Sequence, residues 1–187
     1  MYGFVMWLPS IINSAPNSNM VTTGWLVSVP YVLAIIAMVG TSYFSDKILK
    51  RKRFVWPFLL IGAVAFYASY LTGAHHFCLS FVLLIIAGGA MYAPYGPFFA
   101  IITEILPRNV SGGAIALINS FGALGSFAGA YLVGYLNGST GSFDASYIFM
   151  SGSLFLSAFI TIIAVKEPGK SIKVKLEKEE HLELPVE

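Results

Sequence analysis

Four groups of residues in this 187-residue chain could do chemistry. The first is Asp46-Lys47-Ile48-Leu49-Lys50-Arg51-Lys52-Arg53, one carboxylate followed by five cations. Asp46, with Lys47 and Arg51 beside it, suits a reversible lock that pairs with another helix end in one conformation and releases in another. The same run serves equally as an anchor that meets anionic lipid. The second group is Glu104-Ile105-Leu106-Pro107-Arg108. Glu104 and Arg108 stand one turn apart, a weak local pair on an exposed helix that burial against the basic run would strengthen. The third is Tyr92-Ala93-Pro94-Tyr95-Gly96-Pro97-Phe98-Phe99. Tyr92, Tyr95 and Phe99 recur at i, i+3 and i+7 on one helical face, which reads as a substrate-facing surface or as an aromatic packing stripe. The fourth is Asn119-Ser120-Phe121-Gly122-Ala123-Leu124-Gly125-Ser126. Here Asn119 shares a face with Gly122, Ala123 and Ser126, and Ser120 stands next to it. A carboxamide in an apolar helix needs partners, from a ligand or from another helix.

Other chemistries lack their residues. The sequence contains no phosphate-binding glycine loop ending in Gly-Lys-Ser/Thr, no Gly-x-Ser-x-Gly and no dinucleotide fingerprint. Cys78 is the only cysteine, so neither a disulfide nor a cysteine-based metal site forms within the chain. His75-His76 falls in a polar stretch and reads as a solvated pair rather than a metal site. No cofactor is implied, and an enzyme is not expected.

The elements that hold these groups are apolar blocks. Charged residues make up 11% of the chain, against about 25% in ordinary soluble domains. Mean hydropathy is +0.76. Residues 1–45 and 54–103 contain no Asp, Glu, Lys or Arg. So little polar chain cannot cover so much apolar surface in water. A soluble enzyme, a disordered protein and a nucleic-acid binder are excluded, and the partner that the composition implies is a lipid bilayer.

A spanning helix needs about 20 mostly apolar residues. Five stretches qualify or nearly do: Trp25–Phe44, Trp56–Gly73, Leu79–Thr103 (interrupted by Pro94 and Pro97), Gly113–Leu136 and Tyr147–Val165. Their continuous apolar character does not fit the alternation of barrel strands. Gly122, Ser126, Ala130 and Gly134 form a small-residue ridge at i+4 spacing, which lets another helix approach closely. All eleven Lys and Arg lie in the loop 46–53, at Arg108 or in the tail after Val165, which five spans place on one side. That bias makes these segments and the C-terminus cytoplasmic. Residues 166–187 read as a charged cytoplasmic tail. On this scheme Gly3–Ile12 arrives from inside, yet residues 1–12 are half a span, so the reading is a truncated first helix and a chain that is part of something larger. Glu104 lies too near the inner edge to serve as a mid-membrane proton carrier.

The residues then resemble a known family. Ser45-Asp46-Lys47 with its basic run resembles the loop motif that the major facilitator superfamily repeats between the second and third helices of each six-helix half, with Ser42 where glycine is usual. Tyr-Gly-Pro-Phe-Phe, Glu-Ile-Leu-Pro-Arg, the stretch Ala114–Phe127 and Leu-Val-Gly-Tyr-Leu together resemble its anion:cation symporter branch, which includes importers of sugar acids, tartrate and phthalate. Tyr2-Gly3-Phe4 with Trp7-Leu8-Pro9 resembles the seventh helix of that branch. The resemblance implies an all-α membrane fold, the C-terminal six-helix half, with residues 1–12 as helix seven and 25–165 as helices eight to twelve. It implies secondary active, proton- or cation-coupled import of a small organic anion by alternating access, in the cell membrane. The missing N-terminal half would supply the coupling acids and the carboxylate-gripping arginine. Asn119 matches a helix-eleven asparagine that contacts substrate, with Ser120, Tyr92, Tyr95 and Phe99 as companions. Phe99 stands where the branch often has tryptophan. Asp46, Lys47, Arg51, Glu104 and Arg108 would form the inner gate. The alternatives are an exporter of drugs or metabolites from the same superfamily and a non-transporting membrane subunit.

Overall fold

In the computed structural model, residues 2–13, 19–72 and 76–165 are described, without the side chain of Arg108. The proposed tail 166–187 and His75 lie outside them. The described chain is helical: α1 (Tyr2–Asn13), α2 (Met20–Ile48), a 3-10 turn (Arg51–Phe54), α3 (Trp56–Thr72), α4 (Phe77–Tyr92), α5 (Tyr95–Ile105), α6 (Arg108–Thr140) and α7 (Asp144–Ala164). Five stretches are long and apolar enough to cross a membrane: Met20–Ile48, Arg51–Thr72, Phe77–Ile105, Asn109–Thr140 and Asp144–Ala164.

Several helices run past the apolar blocks, because polar residues at their ends cap or solvate them. Asn19, expected in a loop, caps α2: its side chain accepts from the Thr22 N–H at 2.8 Å, satisfying one of the donors that a helix start leaves free. α6 continues through Asn137–Thr140, where the hydroxyls of Ser139 and Thr140 donate to the Leu136 carbonyl. Gly141, at φ +70°, then ends it, a conformation that glycine adopts without steric cost. The third block is one span in sequence but two helices in space. α4 stops at Tyr92 and α5 starts at Tyr95, across Ala93-Pro94. Pro94 cannot donate to the turn before it, and Pro97 falls in the first turn of α5, where no intrahelical partner is lost.

The core is built on α1, α3, α4 and α7. Phe4, Leu8 and Ile12 of α1 are buried against Phe66 of α3 and Leu84 and Ala87 of α4, with the Phe4 and Phe66 rings edge to face at 5.4 Å. α3 packs between α4 and α7, α2 against α4, and α1 against α6. Outside this core the surface is apolar. Ile36, Val39, Phe127 and Ile163, among others, are exposed, an arrangement suited to lipid and costly in water.

Candidate functional site

Two features bring the sequence candidates together. The first is an open cavity of about 790 Å³ between α6 and the other helices. α6 contributes Asn119, Gly122, Ala123, Gly125, Ser126 and Gly129; α1 adds Tyr2, α5 adds Tyr95 and Phe98, and α7 adds Ser157 and Thr161. Asn119 is exposed and opens into this space. Its carboxamide offers a donor and an acceptor, and the phenols of Tyr2 and Tyr95 offer both as well. The lining hydroxyls donate back to their own helices: Ser126 to the Gly122 carbonyl at 2.6 Å, Ser157 to Ser153 at 2.8 Å, and Thr161 to Ser157 at 2.8 Å. Their protons are committed, so they face the cavity as acceptors. Among the described residues, none that lines it is charged. The wall can therefore hydrogen-bond a hydroxylated molecule along its length but cannot neutralise a carboxylate by itself.

Of the five residues read as substrate-facing, Asn119 and Tyr95 line this cavity, while Tyr92, Phe99 and Ser120 do not. The i, i+3, i+7 stripe assumes an unbroken helix. Helical spacing carries on across Pro94, and the face that meets the cavity is the neighbouring one, Met91, Pro94, Tyr95 and Phe98, so Phe98, which the spacing argument passed over, takes a place on the wall. Tyr92 instead meets Tyr31 of α2, ring centres 6.4 Å apart, and the rings continue from Tyr92 to Tyr95 at 6.3 Å and from Tyr95 to Phe99 at 5.6 Å. Ser120 donates to the Ala116 carbonyl of its own helix at 2.9 Å, one residue around from Asn119. Ser157 and Thr161 of α7 carried no spacing signal. The signal for Phe98 was its i+3 spacing from Tyr95.

The second feature is a charged cluster where α2, the 3-10 turn and α5 meet. Leu49 turns the chain in the left-handed region, at φ 57°, so that Arg51 folds back over the end of α2. Arg51 pairs with Asp46 through Nη1. It reaches Glu104 Oε1 from Nε at 3.1 Å and from Nη2 at 3.0 Å. The Arg51 side chain is 11% exposed, Glu104 21% and Asp46 66%. The Arg51–Glu104 contact is thus the sheltered half, and an exposed pair such as Arg51–Asp46 contributes less than about 1 kcal/mol. Glu104 Oε2 is buried with no hydrogen-bond partner among the described residues. The spacing points to Asp46 as the pairing group; the geometry puts Arg51 at the centre, bridging two carboxylates. Lys47 is exposed and takes part in neither ion pair. Arg108 opens α6, and its side chain lies outside the described residues.

The comparisons with known proteins agree with this architecture. The Major Facilitator Superfamily profile matches residues 1–186. A protein of Agrobacterium vitis named "Putative tartrate transporter" is 28% identical over 94% of this chain and 38% of its own length. The "Quinolone resistance transporter" of Acinetobacter baumannii is 26% identical over 95% of this chain and 41% of its own. The "Probable galactarate/D-glucarate transporter GudP" of Escherichia coli is 25% identical over 93% and 39%. The chain spans about two fifths of the length of these relatives. No solved structure matches it. With its multi-pass apolar helices and a family profile covering nearly every residue, the chain belongs to the Major Facilitator Superfamily.

Proposed function

We propose that this chain forms the C-terminal half of the translocation path of a secondary transporter that imports small organic anions, sugar acids or dicarboxylates, together with a proton or cation, by alternating access. The observation that carries the reading is the uncharged, hydrogen-bonding cavity on α6, with Asn119 and Tyr95 on its wall. A polyhydroxy acid could lay its hydroxyls along such a wall. Its carboxylate needs a cation to offset desolvation, and that cation belongs to the six-helix half that would pack over α6. Tyr92, Phe99 and Ser120 then act from behind, by holding Tyr95 and Asn119 in place. The relatives named for tartrate and for galactarate and glucarate favour this substrate class. The basic segments face the cytoplasm of the cell membrane, residues 25–165 supply helices eight to twelve, and the Asp46–Arg51–Glu104 cluster, with Lys47 and Arg108 beside it, is the inner gate.

The test is uptake of labelled tartrate, galactarate and glucarate by cells expressing the full-length transporter. Asn119→Ala is expected to weaken import by one buried hydrogen bond, about 1–3 kcal/mol, with expression unchanged. Unchanged import kinetics would remove Asn119 from the site. Arg51→Gln strips Glu104 of its partner. It is expected to cut import roughly tenfold, about 1.4 kcal/mol, and Glu104→Gln in the same protein should restore part of the loss. If the double variant is no better than the single one, Arg51 and Glu104 do not act as a pair. A second reading, export of drugs, is favoured by the quinolone resistance relative. It would be upheld by a fall in quinolone susceptibility on expression with no anion uptake.

A further inference from the structure

At the basic end of the bundle, a second groove of about 560 Å³, sharing no lining residue with the cavity, is formed by Lys52, Arg53, Trp56 and Ile162. Lys52 Nζ donates to the Ile162 carbonyl at 2.6 Å, which ties the 3-10 turn to the last turn of α7 and forms one wall. An ammonium has three donors, so this bond leaves two for another acceptor. Arg53 is exposed. Arg51, in the same turn, is taken up by Asp46 and Glu104, and these are the ion pairs seen among the described residues. Two cations with no carboxylate partner among the described residues thus share one groove with an indole, a side chain that combines an apolar body with an N–H donor. The groove opens onto an apolar flank of α7, where Phe159, Ile160, Ile162 and Ile163 are 42–65% exposed.

We propose that this groove binds the phosphate headgroup of an anionic phospholipid. Arg53 and Lys52 hold the phosphate, Trp56 covers the glycerol region, and the acyl chains lie along the exposed isoleucines and Phe159 of α7. The shared chemistry is a phosphate oxyanion, for which the guanidinium fork is matched in geometry. The adjoining apolar flank is what a lipid has a use for and free phosphate does not. This inference concerns a different surface from the cavity and stands whatever the transported substrate.

The test is quenching of tryptophan fluorescence by brominated acyl chains, with the full-length chain reconstituted in phosphatidylcholine. A Trp25→Phe background removes an exposed indole; Trp7, held on α6 by its bond to the Ala130 carbonyl, is the background signal measured in the Trp25→Phe/Trp56→Phe protein, and Trp56 reports the groove. Brominated phosphatidylglycerol is expected to quench at a lower mole fraction than brominated phosphatidylcholine. Arg53→Gln should reduce that preference about fivefold, the effect of one cation at a membrane surface, while Arg53→Lys keeps most of it. Adding Trp56→Phe should abolish the lipid-dependent difference. Equal quenching by the two lipids overturns the proposal. So does an equal loss on Lys50→Gln, which would mean a diffuse basic surface. Loss of the preference in millimolar inorganic phosphate, but not in chloride of the same ionic strength, would assign the groove to soluble phosphate instead of lipid.

Discussion

The glycines of α3, α4 and α5 and those of the middle of α6 are the same residue put to opposite uses. A methyl group built on Gly62 would lie 3.2 Å from Leu154, on Gly88 3.2 Å from Pro30, on Gly89 3.0 Å from Leu33, and on Gly96 it would run into the Ser42 hydroxyl. These glycines let neighbouring helices meet at backbone distance. On α6, Gly112, Gly113, Gly122, Gly125 and Gly129 have nothing within 4 Å of that position. Gly122, Gly125 and Gly129 instead line the cavity. The ridge changes character along its own length. At Gly134 the methyl would lie 2.7 Å from the Trp7 ring, whose Nε1 donates to the Ala130 carbonyl at 3.1 Å. The C-terminal end of the ridge is a packing surface for α1, and the middle is open. A small-residue ridge in a sequence therefore signals close approach without saying what approaches.

The contrast can be broken at its tightest point. Gly134→Ala pushes a methyl into an indole fixed by its own hydrogen bond, and such overpacking costs about 1–3 kcal/mol. Thermal unfolding of the purified protein in detergent should show the largest loss there; no change would mean that Trp7 is not seated on α6. Gly96→Ala is expected to cost less, about 1 kcal/mol, because the Ser42 hydroxyl can rotate away from its bond to the Met38 carbonyl. A loss as large as that at Gly134 would show that the α2–α5 backbones themselves must separate. Gly125→Ala sharpens the other side. It meets no atom of the described residues within 4 Å and gains helix propensity, up to about 1 kcal/mol, so the melting temperature should hold or rise slightly while uptake falls as the cavity narrows. If Gly125→Ala destabilises like Gly134→Ala, another element covers α6 there and the open cavity is a misreading.

The candidate site was legible in unequal parts. Asn119 stood out because a carboxamide inside an apolar block is expensive wherever it has no partner, and that argument needs no neighbours. Glu104 and the basic run stood out because charge is so scarce in this chain. The rest depended on helix phase. Tyr92, Tyr95 and Phe99 do form one stripe of touching rings, but of the three only Tyr95 lines the cavity. Phe98 stands at i+3 from Tyr95 and i+7 from Met91 on the cavity face, and spacing alone does not say which of two adjacent faces meets the cavity. Arg51 was one of five cations within seven residues, with nothing local to single it out. Its bond to Glu104 joins residues 53 apart in sequence, through a turn at Leu49 that few leucines adopt.

What the sequence determined alone was the solvent, the class of element and the family: long uncharged blocks must be helices in lipid, eleven cations confined to three segments give the expected orientation, and the motifs around Asp46 and Tyr92–Gly141 carry the resemblance. Those conclusions rest on composition and local order, which the chain carries in one dimension. The tertiary structure decided which glycines are packed, which aromatic faces the cavity, and which of five neighbouring cations holds the carboxylates. Each of these depends on the distance between residues far apart in the chain, and that distance is set by how α1, α5 and α7 close around α6.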